Sequence, residues 1–337
     1  MRFKNISGII YFGLSLLPIH LEACTLVFWN TNGISPIVGR TMDLYRDDKP
    51  ELIVYPRGVK REGGTGENTL TWTAKYGSVV VTLFNTENTS EGLNEAGLSA
   101  SLLYLEGTRY EARDFTKPSL SIGLWAQYLL DNYKTVSEAL TALSTFQVVS
   151  TEIGGRSWPI HLAIQDKTGD MAIIEYVNGE MKIHHGPQYR VFANEPTYDI
   201  QLNNLKRYKL FRGTLPMPGD VDSLSRFVRA SSYLKTLPQP KDEVEAATLL
   251  MGVMRTVMVP TGAEDTSGNE SADAWPTRWV TIKDLKHQII YIHLTSRPDI
   301  IWLDLHSLNF KKGSQTRSLD LQDSRLKGDI EKQLMIN

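Results

Sequence analysis

Three residues of the types used in nucleophilic catalysis lie near the start of the sequence. Cys24 is the only cysteine among the 337 residues, and Arg40 and Asp43 follow it. A thiol with an ordinary pKa near 8.5 is mostly protonated at neutral pH, and a neighbouring arginine stabilises the reactive thiolate. The three side chains together could support the attack of sulfur on a carbonyl carbon. Alternatively, Arg40 and Asp43 could form a surface ion pair, which is the commoner arrangement for such residues.

This chemistry is more complete if the chain is cut directly before Cys24. An α-amine has a pKa of about 7.7–8.0, so the amine of Cys24 can take up the thiol proton and later return it to a leaving amine. Asp43 would then position and tune that amine. The sequence therefore suggests a cysteine nucleophile that carries its own base.

The first 23 residues predict such a cut. Arg2 and Lys4 form a short basic start, and residues 6–19 (ISGIIYFGLSLLPI) are apolar. This stretch is too short and too interrupted by Gly and Pro to cross a bilayer as a helix, which takes about 20 apolar residues. A short polar piece then ends at Ala23. The order is typical of a bacterial secretory signal with cleavage after Ala23, so we expect an exported protein in the periplasm or secreted, without a membrane span.

A β-hairpin is predicted to begin at Cys24. Residues 25–29 and 36–42 are rich in β-forming side chains. Asn32 and Gly33 between them are a strong signal for a tight turn, in which both central residues need positive φ.

The turn determines which residues of the hairpin face each other. With positions 32 and 33 at its tip, Cys24 faces Thr41, and Arg40 and Asp43 lie on either side. A register shift of one or two residues is left open. In each of these registers the hairpin brings a cation and a carboxylate to Cys24.

Composition favours a folded globular body. Hydrophobic residues make up 41% and charged residues 22% of the chain, and the formal net charge is −2. Removing residues 1–23, with their two basic residues and one acidic residue, changes the charge to −3. This balance argues against nucleic acid or an anionic membrane surface as a partner. A single cysteine also cannot form an intrachain disulfide, so an exported chain needs another reason to keep it.

Three interpretations of Cys24 are open. The first, which we favour, is the nucleophile with its own amine as base. The second is a lipid-modified cysteine, because LEAC (residues 21–24) resembles a lipoprotein signal; against it, Glu22 is unusual there and a strand follows without a tether. The third is a small buried strand residue, which is common for a free cysteine.

Four stretches, in order along the chain, resemble the choloylglycine hydrolase family, which includes bile salt hydrolases and penicillin V acylases. They are residues 24–43 (CTLVFWN…GRTMD), 91–105 (EGLNEAGLSASLLYL), 192–205 (FANEPTYDIQLNNL) and 215–229 (LPMPGDVDSLSRFVR). They resemble the family's N-terminal segment, its Asn-Glu-x-Gly-Leu turn, its Asn-x-Pro-Thr segment, and its Leu-Pro-Gly-Asp and Ser-Arg-Phe segments. The resemblance covers nearly the whole chain after residue 23. Members of this family cut linear amides after exposing an N-terminal cysteine.

The resemblance implies a role for each matched residue. Cys24 would be the nucleophile, with Arg40 and Asp43 as its partners. Asn194 would donate from its side chain to the oxyanion, and Arg226 would belong to the active-site network. From the residues alone, Asn194 would be a turn residue and Arg226 an exposed helical cation.

Tyr104 falls at the position whose backbone N–H helps to form the oxyanion hole in the family. Bile salt hydrolases have asparagine there, whereas penicillin V acylases typically have an aromatic residue. The segment between Asn194 and Arg226 also looks shorter than in Gram-positive bile salt hydrolases, where it carries a loop used in tetramer assembly. Together with the signal segment, these features resemble the exported Gram-negative branch, whose members act on phenoxyacetyl penicillin and on N-acyl homoserine lactones. From the residues alone, Tyr104 would be a core residue at the end of an apolar strand.

The fold implied is an α+β, four-layer αββα sandwich of the N-terminal-nucleophile hydrolase type. We expect a single domain over 24–310 and a polar tail over 311–337, with a weak helical pattern near 319–334. Residues 264–274 are predicted to form a polar loop. Strands are predicted at 70–75, 78–84, 98–105, 159–166, 171–177, 180–185, 278–283, 288–295 and 300–305. Helices are predicted at 118–133, from a capping box at Thr135 and Glu138, and at 198–211, 222–236 and 241–258.

The function expected from these features is amide hydrolysis through a thioester acyl-enzyme, with a small-molecule N-acyl amide as substrate. No cofactor or metal is implied, because the sequence lacks HExxH, paired cysteines, GxSxG and GxxxxGK[ST]. One alternative is a conjugated bile salt hydrolase with the same chemistry. Another is a lipid-anchored binding protein without catalysis. A homo-oligomer, either a dimer or a homotetramer, is compatible with the family.

Overall fold

The computed structural model describes residues 24–64, 66–153, 155–263 and 275–336. The predicted signal segment and the predicted polar loop therefore lie outside the described residues. In chain order, the strands are β1 (Thr25–Trp29), β2 (Ile37–Asp43), β3 (Glu51–Tyr55), β4 (Lys60–Glu62), β5 (Thr71–Thr73), β6 (Ser78–Thr82), β7 (Thr89–Asn94), β8 (Leu98–Tyr104), β9 (Ser119–Ser121), β10 (Gln147–Val149), β11 (Glu152–Ile153), β12 (Arg156–Ser157), β13 (Ile160–Asp166), β14 (Met171–Val177), β15 (Glu180–His185), β16 (Val191–Ala193), β17 (Thr277–Asp284), β18 (Ile289–Leu294), β19 (Ile301–Asp304), β20 (Arg317–Asp320), β21 (Gly328–Asp329) and β22 (Met335–Ile336). The α-helices are α1 (Trp125–Asn132), α2 (Val136–Ala142), α3 (Tyr198–Leu205), α4 (Ser223–Thr236) and α5 (Glu243–Arg255).

Two large, mostly antiparallel sheets form the middle of the molecule. The smaller sheet has seven strands in the order β16-β1-β2-β17-β18-β19-β21, and the larger has nine in the order β15-β14-β13-β8-β7-β6-β3-β20-β22. β1, β2 and β8 are buried at every position. A strand is buried throughout its length only when both of its faces are covered, so each sheet has a layer on either side.

The helices supply the two outer layers. α4 packs on β1 and β16, and α5 packs on β2 and β17, on the outer face of the smaller sheet. α1 packs on β7 and β8, and α2 on β13, on the outer face of the larger sheet. The predicted α+β, four-layer αββα sandwich is confirmed. No helix of the described residues is long and apolar enough to cross a membrane.

Side-chain caps define where two of the helices begin. Thr135 accepts a hydrogen bond from the N–H of Glu138 at the start of α2, as the capping-box spacing predicted. Asp222 accepts one from the N–H of Ser225 and caps α4. Such a cap satisfies an N–H group that the helix itself cannot pair. The cap on α4 fixes the helix that carries Arg226.

The helix predicted at 118–133 is wrong in its first part. Residues 119–121 form β9, which pairs in parallel with β10, and α1 begins only at Trp125. Backbone bonds to a preceding loop hold this strand, since the Ser121 N–H donates to the carbonyl of Gly63 and the Ser119 carbonyl accepts from the Leu70 N–H. The apolar periodicity of the sequence could not reveal these partners, which are distant along the chain.

The helical pattern predicted near 319–334 is also wrong. β20 lies between β3 and β22 in the larger sheet, and β21 pairs in parallel with β19 at the edge of the smaller one. Leu319, Leu321, Leu326 and Ile330 are buried. The segment predicted as a polar tail therefore adds strands to both sheets, and its spaced apolar residues are core side chains.

Candidate active site

β1 and β2 form the predicted hairpin, but the predicted tight turn is wrong. Leu26 faces Arg40 and Trp29 faces Ile37, one residue away from the predicted register. The connection runs over residues 30–36. This shift is within the range that the sequence left open, and it still keeps Arg40 beside the end of β1.

The side chain of Asn32 explains the longer connection. Its amide nitrogen donates to the carbonyls of Trp29 and Ser35, and its Oδ1 accepts from the N–H groups of Ile34 and Ser35. Of the two predicted turn residues, only Gly33 has a positive φ, of 77°. Asparagine thus organises the loop through its side chain and not through a left-handed backbone.

Alternation along β2 separates the predicted site residues onto two faces of the smaller sheet. Arg40 and Met42 face the larger sheet, where Nη2 of Arg40 donates to the carbonyl of Leu102 at 2.8 Å. Asp43 faces the helix layer, where its Oδ2 lies 3.0 Å from Nη1 of Arg226. The structure brings these predicted residues together, but on opposite sides of one strand.

Cys24 precedes β1 and lies between the two sides. Its Sγ is 4.0 Å from Sδ of Met42 and 3.5 Å from the backbone nitrogen of Asp43. Burial raises the pKa of the thiol to about 11, although the charges of Arg40 and Arg226 act to lower it. Arg40 therefore acts in the predicted direction, but burial outweighs it. The sulfur is a neutral thiol that needs a base.

Asp43 is held by three donors. Thr277 Oγ1 donates to Oδ1 at 2.5 Å, Thr41 Oγ1 donates to Oδ2 at 3.2 Å, and Arg226 approaches the same Oδ2. Burial raises the pKa of this carboxyl to about 6, because it outweighs the opposing effects of Arg226 and the hydroxyls. Asp43 is therefore ionised at neutral pH and fixed in orientation.

Arg226 is fully buried on α4 and is not an exposed helical cation. Besides Asp43, its Nη1 donates to Oγ1 of Thr25 at 2.8 Å, and its Nε donates to the carbonyl of Val221 at 2.9 Å. Through these bonds the helix layer is connected to the residue that follows Cys24.

Asn194 follows β16, whose Ala193 faces Thr25. Its backbone N–H donates to the carbonyl of Cys24 at 3.3 Å. Its side chain is fully buried, yet neither Oδ1 nor Nδ2 has a hydrogen-bond partner among the described residues. Leaving a buried polar group unpaired costs about 1–3 kcal/mol. An amide kept in this state beside Cys24 is suited to pairing with a bound ligand.

Tyr104 is the last residue of β8. The N–H of Leu105 donates to the carbonyl of Pro159, so the N–H of Tyr104 points away from β13, towards the other side of its strand. The tyrosine ring meets the rings of Trp158 and Trp275 edge-on, with centroid distances of 6.2 and 5.7 Å. The side chain of Tyr104 therefore belongs to an aromatic cluster.

A cavity of about 580 Å³, partly open to solvent, lies beside Cys24. Arg40, Asp43 and Tyr104 also line it, whereas Asn194 and Arg226 do not. Its mostly apolar lining is typical of a small-molecule site. The apolar walls include Leu44, Leu83, Phe84, Leu102, Leu103, Trp158, Ile160 and Trp275.

Comparison with known proteins agrees with this geometry. The family described as linear amide C–N hydrolases, choloylglycine hydrolase family, matches residues 24–325. The chain is 36% identical to the penicillin V acylase of Pectobacterium atrosepticum over 310 residues, which is 85% of this chain and 81% of that protein. The chain belongs to the choloylglycine hydrolase family. The enzyme class predicted from the sequence, hydrolysis of C–N bonds in linear amides, is thereby confirmed.

Solved structures of similar proteins have the same architecture. The penicillin V acylase of Agrobacterium tumefaciens superposes with a TM-score of 0.83 at 35% identity, over 94% of this chain and 97% of that one. A mutant of the conjugated bile acid hydrolase of Clostridium perfringens superposes with a TM-score of 0.74 at 21% identity, over 91% and 98% of the two chains. The second likeness concerns the fold alone.

Sequence reasoning missed the aromatic wall of this family member. Phe84 and Trp158 lie in connections between strands, and Trp275 lies between α5 and β17, where no periodic pattern identifies a function. It also missed Lys283, which is fully buried within β17. The sequence could have indicated a buried ion pair at Lys283, because a lysine among the apolar residues of a central strand needs a buried partner. Within the described ranges, no group of three or more His, Cys, Asp or Glu side chains is arranged to hold a metal ion.

Proposed function

We propose that this choloylglycine hydrolase family member is an N-terminal cysteine amidohydrolase that resembles penicillin V acylases. The observation that carries the proposal is the position of the Cys24 thiol. It opens into an apolar cavity and lies between a fixed cation and a fixed carboxylate. The backbone N–H of Asn194 donates to the Cys24 carbonyl, and its buried side-chain amide has no partner among the described residues. Nucleophile, charge and a free hydrogen-bond donor are the parts that acyl transfer requires.

Removal of residues 1–23 is part of the proposal. In the full chain the nitrogen of Cys24 is in a peptide bond and cannot accept a proton, while burial keeps the thiol neutral. The family match begins at residue 24, which supports a mature chain that starts there. Cleavage after Ala23 during export, to the periplasm or outside the cell, would turn this nitrogen into an amine able to act as a base.

In the acylation step, the Cys24 amine takes the thiol proton and the sulfur bonds to the amide carbon. The side chain of Asn194 and the backbone N–H of Tyr104 stabilise the oxyanion, and one such donor is typically worth about 10²–10³ in rate. The carbon–nitrogen bond then breaks as the amine of Cys24 returns its proton to the departing nitrogen. Asp43, fixed by Arg226, orients the catalytic amine.

In the deacylation step, water attacks the thioester. The Cys24 amine accepts a proton from this water as the new carbon–oxygen bond forms. The carbon–sulfur bond then breaks, the proton returns to sulfur, and the carboxylic acid leaves. No cofactor enters either step.

The cavity walls favour an aromatic or aliphatic acyl group. Tyr104, Trp158 and Trp275 form an aromatic cluster at the cavity, and four leucines also line it. Each buried CH₂ group contributes about 0.8 kcal/mol. We therefore propose penicillin V and long-chain N-acyl homoserine lactones as substrates, and weak hydrolysis of conjugated bile salts. Assembly into a dimer or tetramer remains a prediction.

The test is kcat/KM for penicillin V, for acyl homoserine lactones of increasing chain length and for glycocholate, measured side by side on the secreted protein. Cys24→Ala serves as the control, and intact mass establishes the first residue. A preference for glycocholate by tenfold or more, about 1.4 kcal/mol in transition-state binding, would overturn the choice of acyl group and leave amide hydrolysis intact. A diacylglyceryl group on Cys24 would overturn the mechanism in favour of a lipid anchor.

A further inference from the structure

A buried ion pair lies behind Arg40, outside the cavity wall. Glu91 of β7 and Lys283 of β17 join the two sheets, and both side chains are only 1% exposed. Oε1 of Glu91 lies 3.7 Å from Nη1 of Arg40. The hydroxyl of Thr281 donates to Oε1 at 2.7 Å, and that of Ser101 to Oε2 at 3.3 Å. One carboxylate is thus shared by two cations, and only one of these cations faces Cys24.

Arg40 is held by other groups of the larger sheet as well. Its Nη1 donates to Oγ of Ser90 at 2.8 Å, and its Nη2 donates to the carbonyl of Leu102 at 2.8 Å. Its guanidinium lies 5.2 Å from the ring centre of Trp279. Neutral contacts therefore fix the position of Arg40 even without Glu91. The pair behind it does something that these contacts cannot do, because Lys283 offsets the carboxylate charge of Glu91 that Arg40 would otherwise face alone.

Five fully buried charged groups form the ion pairs on the two faces of β2, and their charges do not balance. Arg40, Lys283 and Arg226 are cations, whereas Glu91 and Asp43 are carboxylates. With a neutral thiol, one positive charge is therefore in excess. The thiol proton stays on the Cys24 amine, so the net charge does not change, and the excess cation stabilises the negative charge that forms on the sulfur or the oxyanion in a region where water screens little.

We propose that Glu91 and Lys283 are positioning residues for the reaction, and that Lys283 keeps Glu91 from cancelling the positive field that Arg40 directs at Cys24. This inference rests on the proposed role of Cys24 as the reacting group. Without Lys283, the Glu91 carboxylate would be left to Arg40 alone. The excess charge would then vanish, and thiolate formation would be opposed.

The protonation behaviour of the pair agrees with this assignment. Burial acts to raise the pKa of Glu91, but the charges of Lys283 and Arg40 outweigh it, so the pKa is lowered and Glu91 is ionised. Burial lowers the pKa of Lys283, and Glu91 opposes that change. Arg40 in turn acts to lower the pKa of Cys24. Glu91 is therefore an ionised carboxylate that lies against the cation facing Cys24, and the charge of Lys283 offsets it.

The test uses the rate of alkylation of the protein by iodoacetamide as a function of pH. Because Cys24 is the only cysteine, this rate reports the ionisation of one thiol. Lys283→Gln removes the charge but keeps a hydrogen-bond donor for Glu91. Lys283→Gln/Glu91→Gln removes both charges and restores the excess of one. Arg61→Gln is the matched control, because it breaks another buried ion pair, in which Nε lies 2.8 Å from Oδ2 of Asp131.

We expect Lys283→Gln to raise the pKa of the thiol by about one unit, which slows alkylation about tenfold at neutral pH. The thiol pKa of the double variant should return to within about half a unit of the wild-type value, and the thiol pKa of Arg61→Gln should also stay within this range. A merely structural role predicts the reverse order, since the double variant has lost more native contacts. An unchanged thiol pKa in Lys283→Gln, or no recovery in the double variant, would overturn the proposal.

Folding of each variant is checked by its thermal midpoint, and Lys283→Met, alone and with Glu91→Gln, replaces any Gln variant that does not fold. The alkylation assay does not depend on turnover. If the protein hydrolyses no amide but its variants show these pKa shifts, the proposed function is wrong and the charge relation holds. If the protein hydrolyses amides but the thiol pKa of the variants does not change, the function holds and the charge relation is wrong.

Discussion

The two faces of β2 hold their charges in different ways. On the face towards the larger sheet, Arg40 shares Glu91 with Lys283, so a positive charge is left over next to the cavity. On the helix face, Asp43 and Arg226 match one to one at 3.0 Å. Threonine hydroxyls occupy the remaining positions around that carboxylate.

This difference separates two tasks that one site must perform. A balanced and tightly bonded ion pair changes the electrostatic potential at neighbouring groups little. It fixes their geometry well, which suits the orientation of an amine. An unbalanced group acts at a distance through its field, which suits the stabilisation of a thiolate or an oxyanion. We therefore expect substitutions on the helix face to disturb orientation, and substitutions on the other face to disturb charge.

The largest effect should follow from removing the sulfur of Cys24, which the charged groups on both faces of β2 influence. Cys24→Ala should reduce kcat by about 10⁴ or more, since loss of a nucleophile removes the covalent path. The side chain is small, so the thermal midpoint and penicillin V binding, measured by calorimetry, should change little. If the variant retained near-normal hydrolysis of any good substrate, Cys24 would not be the nucleophile.

Asn194→Ala should have the next largest effect, a decrease in kcat of about 10²–10³ with little change in KM. Its side chain has no hydrogen-bond partner in the described part of the chain, so the free energy of unfolding should not fall. Asn94→Ala is a matched control. The amide of Asn94 donates to the carbonyls of Leu130 and Tyr133 and accepts from two backbone N–H groups. The control should lose stability and keep kcat, so equal behaviour of the two variants would contradict the assignment of Asn194.

The pH profile tests the helix face. Burial raises the pKa of Asp43 to about 6, so the acid-side decline of kcat/KM should include a component with a midpoint near pH 6, which lowers kcat/KM about tenfold at pH 5. In Asp43→Asn the residual activity should lack this component near pH 6 and keep only the decline that protonation of the free Cys24 amine causes around its pKa of about 7.7–8.0. Asp131→Asn, which changes a buried carboxylate far along the chain, should keep the component near pH 6. Such a component that persists in Asp43→Asn would belong to another group.

Protonation of the Asp43 carboxyl should lower activity, as described above, but raise the stability of the folded protein. Its pKa in the folded state lies above the ordinary value, so the folded protein binds this proton more tightly than the unfolded chain does. The stabilising contribution is complete below about pH 4 and is lost as the pH rises through about 6. Between pH 4 and pH 7, the urea midpoint of the wild type should therefore decline relative to that of Asp43→Asn.

How far the sequence predicts this site depends on how local each signal is. β-forming residues on both sides of Asn32-Gly33 predicted the hairpin and the proximity of Arg40 to Cys24. They missed the register by one residue, because the side chain of Asn32 organises a longer loop. The place of Arg226 in the active-site network was predicted only from the family resemblance, since its partners Thr25 and Asp43 are about 200 positions away.

The ion pair of Glu91 and Lys283 behind Arg40 could not be predicted from local sequence patterns. Glu91 and Lys283 are 192 positions apart and meet only because the two sheets pack face to face. Each residue lies in a predicted strand or matched segment, but no local pattern tells that they pair. The fold class could be predicted from alternating clusters of strands and helices together with the family resemblance, whereas contacts between layers could not.

The smallest effect should come from Tyr104 in the aromatic wall of the cavity, which would touch the proposed acyl group and carries no charge. Tyr104→Leu keeps the backbone N–H and much of the apolar volume but loses the ring contacts with Trp158 and Trp275. An edge-on contact between the Tyr104 ring and the phenoxy ring of the proposed substrate would be worth about 0.5–1.5 kcal/mol, so KM for penicillin V should rise several-fold while kcat stays nearly constant. KM for a long-chain acyl homoserine lactone should change less, because a flexible chain has no ring to pack edge-on. Phe115→Leu, an aromatic residue that is 64% exposed, is the control and should change neither parameter. A fall in kcat at constant KM would instead mean that the ring acts in the transition state, and the division of tasks between the two faces of β2 would have to include this wall.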